Sequence, residues 1–212
     1  MRTLLIVTAA VAVCTVLAAA SAALPSPAAA GAAVVLDNAR VRVFKTTGQS
    51  LAGVEHKGGV VIALEDGPSR KTGDAWWATD AAAGAGGSGV SMGPLIIVEP
   101  KDAAAGAKSD SVGSKPGEAE FTGMSFKTIF ENEKVTAMRA RMDVGAREGQ
   151  HTHASDTLVV HLSGGAIEDT ANGTTKVNRW KHGDVEFESR GSSHSARNVG
   201  AAVDVVLVAL KP

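Results

Sequence analysis

Short hydrophobic runs separated by glycine, aspartate, asparagine and serine make up most of the chain after its first thirty residues. The valine-rich runs lie at 40–44, 60–64, 95–98, 135–142, 157–162, 185–187 and 203–210. Apolar residues at helical intervals over a dozen positions are scarce. Runs of this length between turn residues are typical of strands in an all-β sandwich or barrel. Asn172-Gly173, between two such segments, is a hairpin turn signal.

Four segments occur in the same order in both halves of the chain. The matched pairs are 36–41 with 130–135, 60–67 with 158–165, 73–77 with 183–187, and 95–101 with 205–211. Four matches in order favour a duplication over chance similarity among short apolar runs. The sequence therefore predicts two small antiparallel β-barrels in tandem, over 34–101 and 120–212. Residues 102–119, rich in Ala, Gly, Ser and Lys, are the predicted linker.

The first residues follow a different pattern. Arg2 gives a positive start, Leu4 to Ala20 is an uncharged apolar run, and the small residues 21–23 precede Leu24. This layout predicts a secretory signal peptide over 1–23, with Ala30 as a second cleavage position, and a secreted or periplasmic protein. Since the run is close to the shortest that spans a bilayer, a retained membrane anchor is the alternative.

Composition excludes several classes of function. The one cysteine, Cys14, lies inside the predicted signal peptide, so the mature chain would have no disulfide and no thiol nucleophile. The net charge is −1 and no basic patch stands out, which argues against a nucleic-acid partner. The low aromatic content, 4%, argues against a protein-recognition surface built on aromatic side chains. No membrane partner is expected once the signal peptide is removed.

Histidine is the residue type that points to chemistry. Five of the six histidines lie in the second half, and His151 and His153 form a His-x-His pair. Because residues i and i+2 of a strand point to the same face, both imidazoles can face a barrel interior and one metal ion. Two ligands hold a metal weakly, so a third is expected from elsewhere in the chain.

The spacing of the histidines resembles the two motifs of the cupin family. The first motif has a glycine, His-x-His, a glutamate and a second glycine, and the residues that fit it are Gly145, His151, His153 and Gly164. Thr157 stands in the place of the glutamate. The second motif has a glycine, Pro-x-Gly, a histidine and an asparagine, and the residues that fit it are Gly183, Gly191, His194 and Asn198. Ser189 replaces the proline.

The resemblance implies a double-stranded β-helix barrel in which His151, His153 and His194 bind one divalent transition metal. Iron is the first expectation, and zinc, manganese, nickel or copper are alternatives. It further implies a dioxygenase-type enzyme that acts on a small organic molecule, or a non-catalytic module that binds a metal or a small ligand. A barrel without metal is a third alternative, and a homodimer is compatible with all three. Thr157 cannot supply the carboxylate that many cupins use as a fourth ligand.

Polar residues near the motifs have alternative roles. Glu148 and Asp156 could each act as a general base or as a partner of a metal ligand, or could face solvent. His161 is expected inside the barrel, about 13 Å along the strand from Thr157, as a core or pocket residue rather than a ligand.

Four further residues have simpler expectations. Arg139 and Arg141 either bind an anionic substrate or form an outward polar face, since both lie at strand spacing. His182 and Asn198 are predicted turn residues.

The first half lacks the ligands. The positions equivalent to the three histidines are Gly53, Glu55 and Gly84, and His56 is out of register. A metal-free barrel that serves packing, dimerisation or covering of the other barrel is therefore predicted. Its tryptophan pair, 76–77, is assigned to an interface, an apolar pocket or the core.

Overall fold

Every regular element that the structure describes is a β-strand, so the predicted all-β class is confirmed. The computed structural model describes residues 32–46, 56–79, 93–102 and 120–212. The predicted signal peptide, nearly all of the predicted linker, and Gly53, Glu55 and Gly84 lie outside these residues. Within the described part of the chain, no helix is long and apolar enough to cross a membrane.

The first half forms an antiparallel sheet of five described strands. They are β1 (Ala32–Asp37), β2 (Val41–Thr46), β3 (Gly59–Ala63), β4 (Ala75–Ala78) and β5 (Leu95–Pro100). The strand order is β1-β2-β5-β3-β4. All of β3 is buried and so is β5 up to its last residue, which explains their nearly continuous hydrophobic sequences.

The second half forms a larger antiparallel sheet. Its strands are β6 (Thr122–Glu131), β7 (Val135–Thr152), β8 (Thr157–His161), β9 (Gly165–Ala171), β10 (Thr174–Trp180), β11 (Val185–Glu188), β12 (Ser193–Asn198) and β13 (Val203–Leu210). The order is β10-β9-β12-β7-β13-β8-β11, and β6 pairs with β7. The predicted hairpin turn joins β9 to β10, and Asn172 and Gly173 both have a positive φ, as a two-residue primed turn requires.

Strand β7 has 18 residues and connects the two parts of this sheet. Its residues 135–142 pair with β13, whereas 147–152 pair with β12. Gly145 lies between these two stretches with a φ of 75°, a left-handed conformation that glycine adopts without strain. The C-terminal end of β7 and all of β12 are thereby brought side by side at one end of the sheet.

One apolar cluster, the shared core, contains side chains of both halves. It contains side chains of the first sheet, such as Val43 and Ile62, and side chains of the second, such as Leu158, Val160 and Val206. All are at most 1% exposed. Residues 31–212 form one compact unit. The division into a barrel at 34–101 and another at 120–212 stays a prediction.

Strand alternation divides β8 between two environments. Leu158 and Val160 belong to the shared core, whereas Thr157, Val159 and His161 line a cavity on the other face of the strand. The second sheet therefore has one face packed on the first half and an opposite face that surrounds the cavity.

Candidate metal centre

The three motif histidines lie together at one end of the cavity. His151 is near the end of β7, and antiparallel pairing places it directly opposite His194 on β12. His153 follows β7, and its backbone N–H donates to the carbonyl of Ser192. One ring nitrogen from each of the three histidines lies within 4.8 Å of the others. Two strands and one adjoining turn thus gather the residues that the motif spacing singled out.

Hydrogen bonds fix the orientation of two of the rings. The Nδ1 atom of His151 is 2.9 Å from the carbonyl oxygen of Gly149, and Nδ1 of His194 is 2.8 Å from a carboxylate oxygen of Asp169. An acceptor at Nδ1 holds a proton there and leaves the lone pair of Nε2 free to bind a metal. The rings are therefore oriented as metal-binding histidines usually are.

The third ring, that of His153, has a carboxylate near its Nδ1 atom but beyond hydrogen-bonding distance. Nδ1 of His153 lies 3.6 Å from a carboxylate oxygen of Glu188, and its Nε2 lies 3.1 Å from Nε2 of His194. Burial, with the neighbouring charges of His194 and His151, lowers the pKa of His153 to about 4. The ring is neutral at physiological pH, which is the form that binds a metal. The donor set therefore fits a divalent transition metal.

Glu148 provides a carboxylate at the same point. Its two oxygens lie 3.6 Å from Nε2 of His151 and 4.0 Å from Nε2 of His194. These are two of the nitrogens that point into the cluster. Of the two acids that the sequence analysis considered, Glu148 is the one that lies at the histidines.

Glu188 is a second carboxylic acid at the cluster, and neither sequence motif pointed to it. It lies directly across from Thr157 in the pairing of β11 with β8, and one oxygen is 3.9 Å from Nε2 of His194. Burial raises its pKa to about 8, although the nearby His194 charge acts in the opposite direction. A carboxylate from the facing strand thus approaches the place that Thr157 leaves without one.

The cluster carries a concentration of acidic groups. Besides Glu148 and Glu188, Asp169 and Glu186 line the same cavity. Burial, followed by the nearby Asp169 charge, raises the pKa of Glu186. A cation bound at the imidazoles would favour the ionised form of these acidic groups, so the acidic groups and a bound metal would stabilise each other.

Asp156 has a structural role instead. Its carboxylate is 2.7 Å from Nε of Arg40 in the first half, and it accepts a hydrogen bond from the backbone N–H of Arg190 at 2.9 Å. The expectation that it acts as a base or a partner of the metal ligands has no support in this geometry. The acid holds the turn after His153 against the other half of the molecule.

The two arginines before the His-x-His pair form ion pairs. Nε of Arg139 is 3.0 Å from a carboxylate oxygen of Asp204, and its Nη1 donates to the carbonyl of Thr72. Arg141 pairs with Asp143 at 3.0 Å on the exposed side of the strand. Both contacts favour the outward polar face over an anion site.

Of the two predicted turn residues, His182 lies in a turn, whereas Asn198 is the last residue of strand β12. His182 is exposed beside β11, and its Nδ1 is 2.9 Å from the carbonyl oxygen of Leu162. Asn198 is 2% exposed, and its amide donates to the carbonyl oxygens of Met142, Asp143 and Ala201. Asn198 thereby fixes the turn that follows β12.

His56 and the tryptophan pair of the first half lie within the described residues. His56 is 3% exposed and accepts a hydrogen bond from the N–H of Gly58 at Nδ1. Trp77 packs against the shared core, and the guanidinium of Arg70 lies 4.4 Å over the ring of Trp76. The core assignment of the tryptophan pair is favoured.

The cavity beside the cluster has a volume of about 260 Å³. Phe121 lies edge-on to His151, with ring centroids 5.1 Å apart. Beyond the histidines the walls are largely apolar, and the side chains there include Met124, Met138, Met142, Val159, Val205 and Leu207. A small organic molecule can therefore lie against apolar walls with one end at the histidines.

No protein-family model matches the sequence, and no curated protein is significantly similar to it. The chain is similar to a cupin domain from Bordetella pertussis Tohama I, with 20% identity over 44% of this chain and 99% of that one, and a TM-score of 0.41. It is also similar to an RmlC-like cupin from Shewanella frigidimarina, with 15% identity over 52% of this chain and 93% of that one, and a TM-score of 0.37. A third similar structure is the polyketide cyclase RemF from Streptomyces resistomycificus, with 11% identity over 51% of this chain and 80% of that one, and a TM-score of 0.39.

Proposed function

We propose that this chain is an exported, cupin-type protein that binds one divalent transition metal through His151, His153 and His194. The observation that carries the proposal is the convergence of the three rings, two of which have a hydrogen-bond acceptor at Nδ1, while the third has a carboxylate oxygen 3.6 Å from Nδ1. This arrangement is characteristic of histidines that bind a metal. Iron is the first candidate, followed by zinc, manganese, nickel and copper.

Catalysis on a small organic molecule is the function that the site supports best. A metal held by three imidazoles keeps open positions and would supply Lewis acidity and a template for substrate and dioxygen. Of the protein groups, Glu188 is placed to hold or transfer a proton, since its carboxyl oxygens lie 3.6 Å from Nδ1 of His153 and 3.9 Å from Nε2 of His194. The apolar walls beyond the histidines exclude water from the body of the substrate.

A non-catalytic metal- or ligand-binding module is the second candidate. The observation that favours it is Thr157, whose hydroxyl donates to the backbone carbonyl of Ser155 at 3.3 Å instead of presenting a carboxylate to the cluster. The same fold serves binding and catalytic proteins, so the fold does not choose between them.

Metal analysis of the purified protein tests the shared part of both candidates. The wild type is expected to hold about one metal ion per chain, and His151→Ala and His194→Ala are expected to lose it. His182→Ala removes an exposed histidine and serves as the matched control. Equally low metal content in the wild type and in His151→Ala would overturn the proposal.

Oxygen consumption separates the two candidates. The protein is loaded with ferrous iron and incubated with diketones, thiols and phenolic acids in turn. Turnover that His194→Ala abolishes supports the enzyme, whereas tightly held zinc without turnover supports the binding module.

Export rests on the pattern of residues 1–23 and is a proposal about the cell rather than the site. Expression of the full chain with a C-terminal tag is expected to give a product that begins at residue 24 in the periplasm or medium. Mass spectrometry of the N-terminus identifies the cleavage position. Full-length protein in the membrane fraction would instead indicate a retained anchor.

A further inference from the structure

His161 is a buried polar side chain that the metal site does not use. It is 2% exposed, lies at the end of β8 and lines the same cavity as the three histidines. Both of its ring nitrogens are buried, and neither has a hydrogen-bond partner among the described residues. A polar group that is buried without a partner destabilises the protein, so a ligand that forms a hydrogen bond with it removes that cost.

The surroundings of His161 define what the ring can recognise. It stacks on the indole of Trp180 with ring centroids 4.7 Å apart and an angle of 17° between the planes. Burial lowers its pKa to about 4, against a smaller opposite effect of the Asp184 charge. The imidazole is therefore neutral at physiological pH, with one N–H donor and one lone-pair acceptor. Such a group suits a hydroxyl or a carbonyl better than an anion.

The cavity sets the shape of the ligand. Thr157, Val159 and His161 line it at alternate positions of one strand, so about 13 Å of strand separates the metal end from His161. The volume of about 260 Å³ lies just below the range of about 300–1,000 Å³ that is typical of small-molecule pockets. Between the two ends most of the lining side chains are apolar, although Glu186, which pairs with Val159 midway along this stretch, also lines the cavity. The cavity therefore has two polar ends that are separated by a largely apolar middle.

We infer that the cavity binds a small, elongated molecule with a largely apolar body and a neutral hydroxyl or carbonyl group at the end that reaches His161. The opposite end meets the histidine cluster and rests on the proposed function. The assignment of the His161 end does not depend on the proposed function, because a ligand there would contact protein side chains and no metal. The inference thus narrows the substrate class from any small organic molecule to one with two polar ends.

Two matched compounds test the His161 end alone. Para-ethylphenol and para-ethyltoluene have nearly the same shape and differ in a hydroxyl that the second replaces by methyl. Binding is followed by the fluorescence of Trp180 in a Trp76→Phe/Trp77→Phe background, since the chain has three tryptophans. We expect the metal-free protein to bind the phenol about tenfold more tightly, because one buried hydrogen bond is gained.

Substitution of His161 decides whether this preference arises at the proposed place. His161→Phe keeps a planar ring against Trp180 and is expected to reduce the preference to within about twofold, without weaker binding of para-ethyltoluene. His161→Gln retains a donor and an acceptor and is expected to keep part of the preference, and His182→Phe is the matched surface control. Thermal unfolding checks that each variant folds.

Three results would overturn the inference: no binding of either compound, equal binding of both by the wild type, or an undiminished preference in His161→Phe. Metal content measured on the protein as purified, before the metal is removed for the binding experiment, distinguishes this failure from failure of the proposed function. A wild type that is purified without metal but prefers the phenol overturns only the metal proposal. A wild type that is purified with metal but shows no preference overturns only the His161 assignment.

Discussion

At the residue scale, the site differs from the motif that it resembles in the origin of its carboxylates. Position 157 has lost one, yet Glu148 from the preceding strand and Glu188 from the facing strand both lie within 4.0 Å of ring nitrogens of the cluster. The spacing of the histidines could be recognised in the sequence because strand alternation and motif positions are local. Glu188 could not be recognised in the sequence, because its position opposite Thr157 depends on the register between β8 and β11.

We expect Glu148→Gln to weaken zinc binding about 10–100-fold, because it removes the charge that faces two metal-directed nitrogens. Competition with a chromophoric chelator measures the affinity. Glu133→Gln, at an exposed position after β6, is the control. Unchanged affinity in Glu148→Gln would show that this carboxylate does not contribute to binding.

Burial of His161 makes stability depend on pH. Its pKa in the folded protein, about 4, lies below the unfolded value of 6.5. The stabilisation is therefore complete above about pH 6.5 and is lost as the pH falls toward 4. Between about pH 7 and pH 5 the wild type should lose about 2 kcal/mol of unfolding free energy that His161→Phe does not lose. Urea denaturation at both pH values measures it, and equal losses in the two proteins would contradict the assignment.

At the element scale, the hydrophobic pattern predicts the strands that pack on both faces and misses those that do not. The buried runs of β3, β5 and β13 were all recognised. Strand β6 was not, because most of its side chains are exposed and its sequence carries little apolar alternation. The hairpin of β9 and β10 was signalled by its turn residues alone, since β10 is nearly all exposed or half-buried.

Gly145 allows β7 to serve two neighbouring strands. An added Cβ atom would meet nothing within 4 Å, so the cost of a substitution comes from its positive φ alone. Gly145→Ala should lower the unfolding free energy by about 1–2 kcal/mol, and Gly145→Asn by less, because asparagine tolerates the left-handed region. Chemical denaturation measures both variants. An alanine variant as stable as the wild type would show that the backbone at 145 does not require this conformation.

At the scale of the whole molecule, the two halves share one core although the sequence suggests two units. Leu158, Val160 and Val206 look alike in the sequence whether their strands close a barrel or pack on another sheet. Internal similarity indicates a duplication but not which surfaces meet. The partner of these side chains became visible only with the fold, in Val43, Ile62 and the other buried residues of the first sheet.

Removal of the first half should therefore destabilise the second. A fragment of residues 120–212 would expose the side chains that β8 and β13 bury in the shared core, at a cost of about 25 cal/mol for each Å² of apolar surface. We expect it to bind a hydrophobic dye and to lack the cooperative unfolding of a chain of residues 24–212. A fragment that unfolds cooperatively and binds zinc as tightly as the longer chain would contradict this expectation.

The ion pair between Arg40 and Asp156 connects the first half of the chain to the metal-binding end of the second. Asp156 lies in the turn between His153 and Thr157 and also holds the backbone of Arg190, close to the strand that carries His194. The first half thus supports the position of a site to which its described residues contribute no ligand. Stability and chemistry can therefore be altered in different halves of the chain. Substitutions in β3 and β5 would change the stability of the support, while those in β7, β11 and β12 would change the metal and its substrate.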